Sequence, residues 1–384
     1  MQFGFFSVLD NPGLKLPYRQ LLTELSEQTR AVEQAGFNGI WLGEHHFGGE
    51  GMDCIPNPLM ILSHLAAQTS AIRLGLAAVI VPQWHPLRIA EDVAMLDQLS
   101  GGRVECGVGR GIFPRELTNL NIDADRRNDQ KNWRLFTETV EIMKKAWTED
   151  PFTWEGEFYN FPHPGVQDSH AWHPRDPRYR SEAGEYIGMS LQPKPLQTPH
   201  PPLWNVVDKT PGFVVAAELG LKPMTWLRAR NGLREAFSTY QEAAARVNGR
   251  PMALGEDCAL LRTTFVAETM EEARRIAEEP LNHLCKYVGG VRARSIYLDP
   301  GEELTDEDNA KSWFDFLMDK EHILIGDPEF VAEKIRAIGR EYKLESLLTL
   351  MAMPGLAHAD VMRSIELFAE RVMPLVEAPQ PAVG

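Results

Sequence analysis

Strand-like and helix-like segments alternate along this chain from end to end, and that alternation limits its fold more than any other feature. The β-rich "QFGFFSV" (2–8) precedes "YRQLLTELSEQTRAVEQAG" (18–36), where Leu22, Leu25, Thr29, Val32 and Ala35 share one helical stripe closed by Gly36. The same step recurs with "GIWL" (39–42) and "NPLMILSHLAAQT" (57–69), then with "IRLGLAAVIV" (72–81) and "HPLRIAEDVAMLDQLS" (85–100). A fourth unit joins 103–108 to 133–147, a fifth 203–207 to 210–220, and a sixth 223–227 to 233–247. The seventh joins 257–267 to "MEEARRIAEE", and the eighth 344–351 to "MRSIELFAERVM". Strands alternating with helices give a parallel sheet buried on both faces, and eight units favour closure into an α/β (β/α)8 TIM barrel over an open sheet. The expected organisation is one barrel domain over 1–376 with a loose tail at 377–384. Two long insertions, at about 150–200 and 280–326, are expected to decorate or cover the C-terminal mouth of the barrel.

Composition removes several classes of function. There are 39 basic against 54 acidic residues, a formal charge of −15, and no Lys/Arg-rich stretch, so nucleic acid would be repelled. The longest apolar run, "LGLAAVIV", falls far short of the roughly 18 residues that span a membrane. No basic n-region opens the chain, and a soluble, cytoplasmic protein is expected. Cys54, Cys106, Cys258 and Cys285 are scattered without a CxxC, which reads as four ordinary thiols.

Catalytic groups of such barrels sit past the C-terminal ends of strands. "GEHHF" lies just past the second strand and offers Glu44, His45 and His46. Other unusual stretches fall at the same end: "AVIVPQWHP", "GVGRGIFPRE", "VVDKTPG" and "MAMPG". Adjacent histidines on an extended segment point opposite ways, and the chain holds no HxH, so no metal is expected. His170 and His173, in "HAWHP", read as part of a packed surface loop. "GVGRG" sets Arg110 among Gly107, Gly109 and Gly111, where backbone N–H groups and a guanidinium can approach an anion. The helix beginning at "TPGFVVAAELG", with Thr210 as N-cap and Pro211 at its first position, offers a second anion-friendly element. Two such elements suggest one mononucleotide.

These residues resemble the flavin-dependent, bacterial luciferase-like monooxygenases (alkanal monooxygenase-like) over nearly the whole chain. The resemblance is strongest in "AVEQAGFNGIWLGEHHF", "LAAVIVPQWHPLRIAEDVAMLDQLSGGRVECGVGRG", "IGDPEFVAEKI" and "SIELFAERVMPLVE". It implies FMN at the C-terminal mouth, His45 as the catalytic histidine, and Arg110 as a phosphate ligand. Ala77 and Ala78 match the place of a cis non-prolyl peptide under the flavin. Asp208, Lys209, Thr210 and Gly212 match the phosphate loop after strand five, although the family often offers more Ser and Thr hydroxyls there. Gly109 stands where luciferase carries a reactive cysteine, so light emission is not carried over. Phe6, Trp84, Phe113 and Trp226 lie near strand ends and are candidates to line an apolar substrate pocket.

The resemblance further implies that reduced FMN (FMNH2) arrives from a separate NAD(P)H:flavin reductase and reacts with O2 through a C4a-hydroperoxide to oxygenate a small apolar substrate, such as an aldehyde or ketone. Alternatives are a deazaflavin-dependent hydride transfer within the same superfamily, or a flavin-binding protein without turnover. An unrelated barrel hydrolase or isomerase would call for paired carboxylates or HxH at strand ends. Family analogy implies a homodimer paired through helices near the second and third units.

Overall fold

The computed structural model describes residues 1–167, 176–291 and 293–377. His170, His173 and the terminal stretch from 378 lie outside the described residues. Eight parallel strands close on themselves: β1 (Gln2–Ser7), β2 (Gly39–Leu42), β3 (Arg73–Leu76), β4 (Val104–Gly109), β5 (Leu203–Val206), β6 (Lys222–Thr225), β7 (Ala259–Val266) and β8 (Ser346–Leu350). The ring is completed where β8 pairs with both β7 and β1, with Gln2 opposite Ser346 and Phe6 opposite Leu350. The helices that follow these strands are α1 (Tyr18–Gln34), α2 (Pro58–Ala66), α3 (Pro86–Ser100), α4 (Asp129–Thr148), α5 (Thr210–Glu218), α6 (Arg230–Asn248), α7 (Met270–Val291) and α8 (His358–Leu367).

Side-chain alternation along each strand divides the core in two. Phe3, Phe5, Ile40, Leu42, Leu74, Leu76, Val104, Cys106 and Val108 are packed in the layer beneath the helices, whereas Phe6, Trp41, Trp204, Met224, Leu261 and Leu348 fill the interior. Trp41 and Trp204 meet edge to face at 5.6 Å, and the Trp204 indole donates to Glu105, which Arg73 also holds at 2.8 Å. The interior floor is therefore solid, and the open end is the C-terminal one. Close strand approach requires small residues: a Cβ on Gly107 would stand 1.9 Å from the Leu76 carbonyl oxygen.

The eight expected units are present, and three details differ from expectation. First, Ile323–Gly326 forms a further parallel strand beside the last residues of β7, followed by the helix Pro328–Tyr342. That unit lay hidden because its strand has four residues and falls within a stretch that reads as an insertion. Second, α7 runs through Pro280 to Val291 rather than ending near 280. Ala273, Ala277, Leu281, Leu284, Cys285 and Val288 continue one buried stripe on both sides of the proline, and that burial outweighs the roughly 3 kcal/mol a mid-helix proline costs.

Third, the 150–200 insertion joins the end of α4 to the start of β5, so both of its ends are anchored at the amino-terminal side of the barrel. Gln197 bonds Asp97 at the end of α3 and the carbonyl of Val104 at the start of β4, and Lys194 bonds the last carbonyls around α4. Its short hairpin, Trp154–Glu155 with Asn160–Phe161, climbs the outside of α4, where Glu138 accepts from the N–H groups of Glu157, Phe158 and Tyr159. Among the described residues of this insertion, Phe158 and Tyr159 at the hairpin tip pack against the cluster of Ile80, Leu117, Ala124 and Leu135 past the ends of β3 and β4, so the insertion meets the expected rim there while both of its ends start from the opposite side. Length and composition do not say from which end of the barrel an insertion starts; its position after a helix does. The second insertion does lie over the mouth, through α7. The four cysteines are free thiols.

Candidate functional site

The loops after β1, β2 and β4 converge on one histidine. His45 Nδ1 lies 3.2 Å from Glu116 Oε1, and the backbone N–H of His46 donates to the same oxygen at 3.0 Å. Glu116 belongs to the short helix Pro114–Leu120 after β4 and is 1% exposed. Its carboxylate thus fixes both the imidazole and the loop that carries it. On the other side, His45 Nε2 faces Asp53 Oδ2 at 3.7 Å, and the Asp53 N–H donates to Asp10 at 2.8 Å. The Phe113 ring meets the His45 ring edge-on at 5.1 Å, and Tyr287 of α7 lies against Phe113 and Asp53. Leu9, Phe47 and Asp53, none of them glycine, take left-handed φ values of 54°, 61° and 52° around this cluster. Backbone held in that region concentrates at functional sites.

Electrostatics here favour protons. Burial by itself would lower the His45 pKa, but the Glu116 hydrogen bond and the charges of Asp53, Glu116 and Glu44 outweigh it and carry the pKa above the ordinary value. Burial raises the Asp10 carboxyl, and the nearby Asp53 charge raises it further. Burial also raises Asp53, against the pull of His45. One oxygen of Asp10 is buried without a partner. Asp10, pushed up to about 8, therefore favours its protonated form beside His45.

A raised folded-state pKa has a definite consequence for stability. The folded chain binds the His45 proton more tightly than the unfolded chain does, so this contribution is complete below about pH 6.5 and is lost as pH rises through the folded value. The His45 ring resonances are expected to titrate above the ordinary histidine range, and Glu116→Gln to move the midpoint down. A midpoint unmoved by Glu116→Gln would remove that carboxylate from control of the proton.

Glu44 has a different environment. It is buried and accepts from the Ile80 N–H at 2.6 Å and the Trp84 indole at 2.9 Å, with His46 Nε2 at 2.9 Å. It ties the loop after β2 to the segment after β3, where the Ala77–Ala78 peptide is cis. A Cβ on Gly109 would lie 3.2 Å from the Ala78 Cβ and 3.1 Å from Ile80, so the ends of β3 and β4 leave no room there for a side chain.

The anion-friendly elements are adjacent. Arg110 bonds Asn132 Oδ1 at 2.8 Å and Asp129 Oδ1 at 2.7 Å, with its guanidinium 3.6 Å from the Trp133 ring centroid. A Cβ on Gly212 would stand 3.8 Å from that same tryptophan, which places the start of α5 beside Arg110. Lys209, not Thr210, is the N-cap of α5, and no side chain caps it. The shift by one residue arises because the Thr210 hydroxyl is drawn outward, accepting from Arg228 at 3.0 Å and donating to Glu235 at 3.3 Å. Asp208 Oδ1 accepts from Thr225 and the Trp226 N–H, while its carbonyl accepts from Arg228 at 2.6 Å.

Two groups thus form from the predicted residues: His45, His46, Glu44, Phe113 and Trp84 around the loop after β2, and Arg110, Thr210 and Gly212 around the start of α5. Phe6 is buried in the barrel interior, and Trp226 follows β6 beside Asp208. Sequence reasoning missed Glu116, Asp10, Asp53 and Tyr287. Asp10 and Glu116 carried a usable signal, since each is an acidic residue just past a strand end. No group of three or more His, Cys, Asp or Glu among the described residues is arranged to hold a metal ion. No described helix is long and apolar enough to cross a membrane.

A family profile described as luciferase-like monooxygenase matches residues 1–342. The oxygenase component of a flavin-dependent trigonelline monooxygenase from Acinetobacter baylyi is 26% identical over 346 residues, covering 88% of this chain and 85% of its own. The oxygenating constituent of 3,6-diketocamphane monooxygenase from Pseudomonas putida, solved with FMN, has a TM-score of 0.76 at 22% identity, over 99% of this chain and 100% of its own. An F420-dependent secondary alcohol dehydrogenase shares the fold more distantly, with a TM-score of 0.67 and 19% identity over 98% of this chain and 99% of its own.

Proposed function

This chain belongs to the luciferase-like monooxygenase family, and from that premise we propose that it is the oxygenase component of a two-component system that takes reduced FMN from a separate NAD(P)H:flavin reductase. With O2 it oxygenates a small apolar organic substrate. The observation that carries this reading is His45, bonded by Glu116, which raises its proton affinity, at the open end of the barrel beside Phe113. The name of the Acinetobacter relative, an oxygenase component, supports a separate reductase, and the FMN-bound neighbour supports FMN.

The residues present fit the flavin. The start of α5 has no side-chain cap, packs beside Trp133 through Gly212, and Arg110 adds a cation there. Burial lowers the Arg110 pKa to about 10, which leaves it charged at neutral pH. Arg110, Lys209 and the start of α5 at Thr210 and Gly212 would hold the phosphate end, while Asp208 fixes that loop through Thr225, Trp226 and Arg228. Ala77 and Ala78 would lie under the ring. Bound reduced flavin supplies two electrons for the activation of O2.

The chain's own residues do the rest. His45, whose proton affinity the surrounding carboxylates raise, can offer a proton at the mouth to an oxygen atom that gains charge there. Glu116 keeps the ring oriented, and Asp53 with Asp10 can replace a donated proton. Phe113 and the helix α7 limit water around the imidazole.

Anaerobic binding of reduced FMN and of a reduced deazaflavin, followed by mixing with oxygen and an aldehyde or ketone panel, tests the reading. Reduced FMN is expected to bind and O2 uptake to yield oxygenated product. Binding of the deazaflavin alone, with hydride transfer and no O2 uptake, overturns it. FMN binding without product on any substrate would leave a flavin-binding protein.

A homodimer through α2 and α3 is part of the proposal. Met60 on α2 and Met95 and Leu99 on α3 are exposed apolar side chains on neighbouring helices. Sedimentation is expected to give roughly twice the 43.3 kDa chain mass, and Met60→Glu with Leu99→Glu to give the monomer. A wild-type monomer at micromolar concentration rules the interface out.

A further inference from the structure

The cationic cluster beside α5 already holds an anion of its own. Arg110 has five N–H donors, and the structure assigns most of them. Nε donates to Asn132, one terminal nitrogen donates to both the Asp129 carboxylate at 2.7 Å and its carbonyl at 3.1 Å, and Trp133 covers a face of the guanidinium. Among the described residues, the second terminal nitrogen meets no protein acceptor. Arg126 reaches the same Asp129 oxygen at 3.3 Å through Nε while donating to the Gly111 carbonyl at 2.9 Å. One carboxylate oxygen thus bridges two guanidinium groups, the arrangement a phosphate oxygen would adopt there. Asp129 is far more exposed than its partner, with a side chain 54% accessible against 11% for Arg110.

We propose that Asp129 limits flavin affinity by occupying the edge of Arg110 that the FMN phosphate would otherwise take. The inference rests on the reading of Arg110 as the phosphate ligand. A bound phosphate must displace the carboxylate or lie beside it, and either arrangement sets a dianion against a competing negative charge. A protein that receives reduced flavin from another and releases it oxidised gains from such a brake, because exchange requires moderate affinity.

The fold does not depend on this carboxylate. Asn128 supplies the cap of α4, accepting from the Lys131 N–H at 3.1 Å. Asp129→Asn removes one favourable charge from the first turn but leaves the Asn128 cap in place. Asp129→Asn is therefore a clean variant, and its melting temperature serves as the control.

The test is equilibrium titration of wild type and Asp129→Asn with oxidised FMN and with riboflavin, which lacks the phosphate. Asp129→Asn is expected to tighten FMN about tenfold, or about 1.4 kcal/mol, with riboflavin unchanged. Unchanged or weaker FMN binding in the variant overturns the inference and makes Asp129 a residue that positions Arg110. Equal tightening of FMN and riboflavin also overturns it, because the effect would not involve the phosphate. If wild type binds FMN no better than riboflavin, the phosphate reading of Arg110 itself fails, and the inference falls with it.

Discussion

His45→Ala is expected to fold, to bind FMN as the wild type does, and to lose about 10²-fold or more in product formed per reduced flavin oxidised. The loss is local. His45 makes no contact with the Arg110 group, so the phosphate end should not register its loss. What disappears is the only ring held between Glu116 and Asp53, and with it a proton stored on a group whose pKa the surrounding carboxylates have raised. Glu116→Gln should behave as a graded version. The amide can still accept from His46 N–H but no longer stabilises the imidazolium, so the activity profile should shift to lower pH rather than vanish. His45→Ala with unchanged product yield would mean that the mouth needs no proton from this ring.

The barrel was legible in the sequence because its strands announce themselves twice: by alternation inside each strand, as with Phe3 and Phe5 outward and Phe6 inward, and by the helix that follows. The strand Ile323–Gly326 was not, because four residues inside an acidic, proline-containing stretch carry too little period to stand out. Pro280 misled for a physical reason, since local propensity marked a helix end that the buried stripe from Ala273 to Val288 overrides. The site was legible only along the chain. "GEHHF" could be placed at a strand end from order alone, but its partner Glu116 lies 70 residues away, and nothing in spacing pairs it with His45. Asp10 and Asp53 acquire their character from burial beside each other, which no local pattern encodes.

Glu44→Ala is expected to destabilise the protein by about 3–5 kcal/mol, the largest stability effect of any substitution in the site. Truncation strips acceptors from the Ile80 N–H, the Trp84 indole and His46 at once, in a place where water cannot replace them. Glu44→Gln separates structure from chemistry. Its carbonyl oxygen can keep one set of bonds, but its NH2 group must face a donor across a 2.6 Å contact, so a smaller loss of about 1–3 kcal/mol should remain. Urea unfolding of the three proteins gives the order directly. If Glu44→Gln matches wild type in stability while product yield collapses, the carboxylate acts in the chemistry. If stability falls in the order wild type, Gln, Ala and the folded fraction of Glu44→Gln keeps its yield, Glu44 serves to fasten the loop that carries His45 to the segment carrying Ala77 and Ala78. The second outcome is the one the bonding predicts, because a carboxylate already accepting from three donors has little capacity left for a substrate.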